Sequence, residues 1–408
     1  MAKIEAQLQQ PPRFALRSKT FGIFMSGSLV TRIGDWMDLV VLNWAVLQFT
    51  NSPLHLGLIN ACRLVPTFIL SVPAGILADR YDRRKLLIVL QFGLMLLTFC
   101  LGYIVDARQS YVFFVFIITV RSMLAAMEPP IRNALLPDLV PQSSMASAIA
   151  INTTVINLSR IIGPALAGAL LAVTDNIANL FYLNSLGMLG VVISLIMIRS
   201  YHFPDYGKGV GEKVTLRDSV VFLKNHQSVQ SLLILAIVPM VFGFPYTTMM
   251  PLFARDLLNL GPSGFGVLLS ISSIGALVGA IWLSLGREIK AIGKWLIYSI
   301  LGFGVSLLLF ICTSNVYLAG IAMFLVGLSS QSYRTMSRIT IQMQVPNHLR
   351  GRVLSIALMD RGFIPLGAIL IGAIASWAGT TWAGVVMGLG CIVTTFLVVN
   401  SRRQIWKL

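Results

Sequence analysis

Long apolar runs alternate with short polar links along the whole chain, which is the layout of a membrane bundle. Apolar runs of roughly 20 or more residues, each enough to cross ~30 Å of hydrocarbon as a helix, fall near 21–50, 54–78, 86–105, 111–132, 144–173 and 177–198. Six more follow near 228–254, 263–285, 292–312, 316–337, 352–377 and 381–400. Between the two sets lies the longest polar stretch, where Gly207, Gly209 and Gly211 precede Val214, Val220, Val221 and Leu223, a pattern that predicts a short interfacial helix. The expected fold is an all-α membrane protein of twelve transmembrane helices, with six in each half (1–198 and 228–408) and a cytoplasmic linker at 199–227. An even count of spans places both termini on one side.

Composition changes the picture little, and charge orients it. At 56% hydrophobic and 11% charged residues, the chain has too little polar surface to cover a soluble globule of its size. The link from Gly75 to Lys85 holds Asp79, Arg80, Arg83, Arg84 and Lys85, and cations in short loops stay in the cytoplasm. With that link inside, the 31 Lys and Arg leave only Arg108 and Arg255 outside and Arg32, Arg63, Arg121, Arg160, Arg334 and Arg361 within spans. The net charge of +16 therefore reads as a topogenic signal with some attraction to anionic lipid, and not as nucleic-acid binding. Cys62, Cys100, Cys312 and Cys391 are scattered singly and read as packing residues. The first 19 residues are a polar, basic lead-in with no signal-peptide core, so no cleavage is expected.

The halves echo each other. Arg-x-x-x-Pro occurs at Arg160 to Pro164 and again at Arg361 to Pro365, and Val-Pro precedes each at Val140-Pro141 and Val345-Pro346. Such an echo is expected of a transporter built from repeats. The stretch Gly75-Ile-Leu-Ala-Asp79-Arg80-Tyr-Asp82-Arg83-Arg84-Lys85 resembles motif A of the major facilitator superfamily, with Asp82 in place of a small Gly. That variant is similar to the macrolide-efflux and enterobactin-exporter branch of its drug:proton antiporters. Ser159 to Gly168, with Gly163-Pro164 at its centre, resembles motif C, which in that superfamily marks antiporters; two of its glycines are Ser159 and Ala167 here. Arg121 stands where the family's motif B has an Arg thought to assist proton transfer, although Leu124 and Ala125 depart from that motif. Asp79, at the end of the second helix, lies within reach of Arg83 in its own link and of Arg132 at the cytoplasmic end of the fourth helix; the resemblance implies the facilitator fold, export, and a gate in which Asp79 also meets the start of the eleventh helix near Gly351 and Arg352.

Charges buried in the spans are the candidate chemistry, because each costs several kcal/mol in hydrocarbon unless paired or hydrated. Arg32, Asp35 and Asp38 share a face of the first helix at spacings of three. Asp38 is depth-matched to Arg63 on the next, antiparallel helix, which predicts a pair that either locks the two helices or lines a cavity. Asp35 has only Arg32 nearby in sequence and is the leading candidate for proton coupling; Asp38, Arg121, Glu128 and Asp360 are the others. Arg121 reads either as a coupling residue or as the counter-ion of a first-helix acid, and Glu128 either as cavity-lining or as solvated near its helix end. Arg32, Arg63, Arg160 and Arg361 are the candidate partners in the cavity, and Arg334 reads as an anchor near its helix end. Gly275-x-x-x-Gly279 offers a close-approach surface to the motif C helix.

These observations predict a secondary active exporter of a small drug-like, siderophore-like or other amphiphilic molecule, driven by protons, with a modest excess of helix cations favouring neutral or anionic cargo. It is expected to be a monomer of the cell membrane in contact with lipid, with no enzymatic activity and no cofactor. Metal or lipid export on the same fold, with Asp35 and Asp38 as ligands, and a non-transporting sensor or scaffold are the alternatives. No Gly-x-x-x-x-Gly-Lys-Ser/Thr for nucleotide phosphates is present, and His55, His202, His226 and His348 all fall in loops or at helix ends.

Overall fold

The computed structural model describes residues 14–174, 176–198, 226–285, 291–346, 353, 357, 359–402 and 405–406. Its long helices are α1 (Lys19–Thr50), α2 (Pro53–Arg80), α3 (Arg83–Asp106), α4 (Tyr111–Leu135), α5 (Met145–Thr174), α6 (Ile177–Met197), α7 (Gln227–Leu258), α8 (Pro262–Ser284), α9 (Ile292–Ile311), α10 (Val316–Gln344), α11 (Met359–Ala378) and α12 (Thr380–Ser401). Eleven of them, α2 to α12, are long and apolar enough to cross a membrane. The 32 residues of α1 also suffice, at ~48 Å of rise, and carry Arg32, Asp35 and Asp38 near the middle. There is no strand among the described residues. The interfacial helix expected after residue 211 lies outside them, as do Gly351 and Arg352.

The chain divides into two compact units, Met1–Ala45 with Cys62–Gly209, and Val46–Ala61 with Val210–Leu408. In the first unit α3 packs on α4 and α6, around Phe21, Phe24, Leu87, Ile131, Leu135 and Leu195. The turn before α3 is set by Asp82, whose carboxylate accepts from the backbone N–H of Arg84 at 2.9 Å and of Lys85 at 3.2 Å. An N-cap of this kind satisfies donors that the first helical turn leaves orphaned, which gives the Asp at the usual Gly position a structural purpose.

In the second unit α8 and α9 both pack on α10, and α9 packs on α12. Gly275 faces the backbone of Phe324 and Gly279 lies 3.0 Å, measured from a Cβ built on it, from the carbonyl of Leu328. The small-residue surface of α8 therefore serves α10. Small residues let backbones approach wherever a neighbour exists, so the glycine spacing marks a close contact without naming the partner helix.

Three segments depart from straight spans. Helix α6 breaks at Met188, whose N–H is shared between the carbonyls of Asn184 and Ser185, both at 3.2 Å. Helix α7 is interrupted by a π turn at Pro239–Gly243, and regular helix resumes at Tyr246. Pro239 and Pro245 lack the N–H groups a regular helix would use there, and the apolar run hides this. Helix α10 continues to Gln344, past the expected end at 337, because Ser337, Arg338 and Gln342 are polar but good enough helix formers and the stop comes only at Val345-Pro346.

Candidate functional site

The buried charges of the first unit meet on α1. Asp38 is 2% exposed and is held from three helices. Nη1 of Arg121 on α4 donates to its Oδ2 at 2.9 Å, Nη2 of Arg63 on α2 lies 3.6 Å from the same oxygen, and the Asn184 amide on α6 donates to Oδ1 at 3.4 Å. Two arginines on one carboxylate leave a surplus positive charge beside it. Asn184 escapes a search for charges because an amide in a span is unremarkable; the signal for it is Gly34, where a Cβ would collide with the Asn184 side chain.

Asp35, one turn earlier, is exposed and makes none of the ion pairs found among the described residues. Arg32, the expected neighbour, does not close on it and is itself half-buried. Charged groups near Asp35 include Glu128, Arg132, Arg121 and Asp38, and Arg32 and Arg63 as well. Glu128 is not a solvated helix end: it pairs with Arg132 one turn on, and its side chain is 15% exposed. Arg132 also donates to Ser28 Oγ of α1 at 2.9 Å and sits over the Phe24 ring at 5.9 Å. The geometry thus separates a clamped carboxylate, Asp38, from an accessible one, Asp35, within a single charged cluster.

The α5 signature supports that cluster from behind. A Cβ on Gly163 would lie 2.8 Å from the carbonyl of Ile33 and 3.1 Å from the nitrogen of Met37, so α5 rests against the turn of α1 that carries Asp35. Ser159, Gly163, Pro164, Ala167 and Gly168 are all buried on the same face, and Arg160 is half-buried beside them.

The Gly75-to-Lys85 link is a junction. Arg83 Nη1 donates to Asp138 Oδ2 at 3.0 Å and to the carbonyl of Ala134 at 3.0 Å, while its Nε donates to the carbonyl of Ala78 at 3.0 Å. One guanidinium thereby closes the ends of α2 and α4 and pairs with a carboxylate that is 1% exposed. Arg84 Nε donates to the carbonyl of Leu195 at 2.7 Å, capping α6. Asp79 is 77% exposed and 3.6 Å from Arg83; Arg132, expected beside it, is turned to Glu128 instead. Arg80 is exposed, and a Cβ on Gly75 would meet nothing within 4 Å. Asp138 is the residue that motif reasoning misses, because it lies beyond the end of α4 where an acid reads as solvated.

In the second unit Asp360 and Arg361, in a 3-10 turn at Met359–Gly362, line a pocket with Tyr333, Arg334 and Arg338 of α10. Pro365 follows at the third position of the regular helix, whereas Pro164 lies deep inside α5. The repeated Arg-x-x-x-Pro therefore marks equivalent sequence but not equivalent local backbone.

Comparison with known proteins places these features in a family. Residues 12–407 match the transmembrane secretion effector family of the major facilitator superfamily. The chain is 32% identical to the staphyloferrin A transporter of Staphylococcus aureus over 94% of its own length and 96% of that protein. It is 23% identical to macrolide efflux protein A of Streptococcus pyogenes, covering 82% of this chain and 84% of that one. A bacterial homologue of the human lysosomal transporter Spinster superposes with a TM-score of 0.73 at 14% identity, over 96% of each chain, which speaks for the fold alone. With a match spanning nearly its whole length, this multi-pass membrane chain belongs to the major facilitator superfamily, within its transmembrane secretion effector family.

Proposed function

We propose that the chain is an exporter of the cell membrane, with cytoplasmic termini, that moves a small molecule outward by alternating access in exchange for protons. One observation carries the coupling: within one cluster, Asp38 is fixed by Arg121, Arg63 and Asn184, whereas Asp35 is accessible and free of ion pairs among the described residues. A carboxyl that exchanges protons each cycle has to be reachable and must not be neutralised by a permanent partner. Asp38 supplies the opposite property, a fixed negative charge that holds α1, α2, α4 and α6 together. Export is supported by the efflux relatives and by the motif C resemblance; their printed substrates, staphyloferrin A and macrolides, point to a siderophore-like or drug-like cargo. Metal export through an Asp35–Asp38 pair is disfavoured, because both Asp38 oxygens are already engaged.

One proton falling through ~100 mV yields ~2.3 kcal/mol and one pH unit adds ~1.4 kcal/mol. Together they sustain a cargo gradient of a few hundredfold. In proteoliposomes screened with macrolide and siderophore cargo, Asp35→Asn is expected to abolish accumulation driven by an imposed pH gradient while retaining cargo-for-cargo exchange. Undiminished proton-driven accumulation by that variant overturns the assignment.

A further inference from the structure

The second unit also holds a cavity of about 420 Å³ between three helices. Leu328 and Ser329 of α10 form its floor, with Val278 and Trp282 of α8 on one side and Trp295 and Tyr298 of α9 on the other. Ser299 and Ser332 also line it, but their hydroxyls are spent on the carbonyls of Trp295 at 2.7 Å and of Leu328 at 2.8 Å. The Tyr298 wall is backed by the Trp406 ring at 6.4 Å, and Trp282 meets Trp295 edge to face at 5.2 Å. Those two tryptophans sit at the end of α8 and in the first turn of α9, whereas Val278 and Ser299 lie six and seven residues from the same helix ends, ~10 Å deep. With ~30 Å of hydrocarbon to cross, the cavity belongs to one leaflet, the one on the side of the α8–α9 link.

The helices flanking the cavity present apolar stripes to their surroundings: Val278, Ile281 and Leu285 on α8 and Tyr298, Val305 and Leu309 on α9 are all exposed. On spanning helices such stripes are matched by hydrocarbon. A tryptophan, with its apolar body and single N–H, suits the level where chains meet headgroups. Lys294, exposed beside Trp295 at the start of α9, sets a cation at that level, and the neighbouring sequence adds Arg287 and Lys290 against Glu288. Lysines at the end of a span reach to the interface and attract anionic headgroups. We propose that this cavity is a specific site for an anionic phospholipid, with one acyl chain between the two tryptophans and the α10 floor and the phosphate at Lys294. The leaflet is the cytoplasmic one on the topology proposed above, but the site does not depend on what the chain carries. Drug-sized ligands are fixed by several polar groups placed inside apolar walls, and here no lining residue is charged and only the Ser329 hydroxyl is without a hydrogen bond among the described residues. An acyl chain needs no such groups.

The test is quenching of tryptophan fluorescence in the full-length protein, held in phosphatidylcholine nanodiscs with a small, varied fraction of phosphatidylglycerol brominated on its acyl chains. Brominated phosphatidylcholine at the same fractions is the control, and bromine quenches only the indoles that its chain touches. Quenching by phosphatidylglycerol is expected to saturate at a fraction about fivefold lower than for the control, the effect of one lysine beside an anionic headgroup. The saturating component should vanish in the Trp282→Phe/Trp295→Phe variant. Lys294→Gln should erase the preference for phosphatidylglycerol. Val278→Phe, which fills the cavity from its exposed side, should shrink the saturating component while keeping the wild-type melting temperature in lipid-free detergent. Equal, unsaturating quenching by both lipids is ordinary bilayer contact and overturns the site, as does a saturating component that survives the loss of both tryptophans. A preference unchanged in Lys294→Gln overturns the headgroup assignment. Competitive relief of the quenching by a macrolide overturns the lipid assignment in favour of cargo entering from the leaflet.

Discussion

Two carboxylates one helical turn apart in α1 have opposite surroundings, and this gives them opposite expected phenotypes. Asp38→Asn removes the negative charge that Arg121 and Arg63 share and strands both guanidinium groups, whose side chains are 11% and 22% exposed. Breaking a buried pair from one side costs about 3–5 kcal/mol, chiefly because the surviving charge is stranded. Arg121→Gln strands Asp38 less severely, since Arg63 and Asn184 remain at 3.6 and 3.4 Å. A clear drop in melting temperature is therefore expected for Asp38→Asn and a smaller one for Arg121→Gln, with the double variant less damaged than the sum of the singles. Asp35→Asn should leave the melting temperature almost unchanged, since substitutions that touch no buried partner shift stability by about 0.5 kcal/mol or less. Thermal unfolding in detergent of the four proteins checks the set; a large loss with Asp35→Asn would mean that it, too, is a structural charge.

At the scale of helices, spacing predicts where close approach occurs, and neighbours decide what it does. Gly163 lies against backbone atoms of Ile33 and Met37, whereas Gly75 faces open space. Gly163→Val is expected to push α5 off the turn that carries Asp35, at a cost of about 1–3 kcal/mol for overpacking, and to impair transport with it. Gly75→Ala should be silent in thermal unfolding; comparing both melting temperatures with transport rates separates a packing glycine from one that matters in another state. The spans themselves are legible in the sequence, because an apolar run long enough to cross ~30 Å has few other uses. The depth match that pairs Arg63 with Asp38 is legible for the same reason, since rise per residue converts position into height. What stays hidden is of other kinds. The π turn of α7 sits in Pro-Met-Val-Phe-Gly, which is as apolar as the helix around it. Asn184 and Asp138 are ordinary polar residues until the fold brings Gly34 and Arg83 to them. The partner of Gly275 cannot be read from a spacing that every tight helix pair shares.

A transporter as a whole has to keep at least two arrangements within a few kcal/mol of each other, so the contacts that hold a unit together should differ from those that switch it. On the export reading proposed above, the Gly75-to-Lys85 link would divide those duties between Arg83 and Asp79, one helical turn apart. Arg83, bonded to Asp138 and to the carbonyls of Ala78 and Ala134, belongs to the permanent structure, and Asp138→Asn is expected to lower the melting temperature as a broken buried pair does. Asp79 adds little to this state: it is 77% exposed with Arg83 at 3.6 Å, and exposed pairs contribute about 0–1 kcal/mol. The motif A resemblance assigns it a further partner at the start of the eleventh helix. An anion at a helix N-terminus gains about 0.3–1 kcal/mol, and up to ~2 kcal/mol when partly buried. That is too little to decide folding and enough to decide populations, because ~1.4 kcal/mol shifts a two-state ratio tenfold. Asp79→Asn should therefore keep the wild-type melting temperature and insertion, since acids hardly affect the positive-inside signal. At the same time it should change, by up to about tenfold, the relative labelling rates of single cysteines placed near the two ends of α2. Unchanged labelling at both ends, with transport intact, would reduce Asp79 to a bystander among topogenic cations and leave the structural duties of the link to Arg83 and to the helix caps made by Asp82 and Arg84.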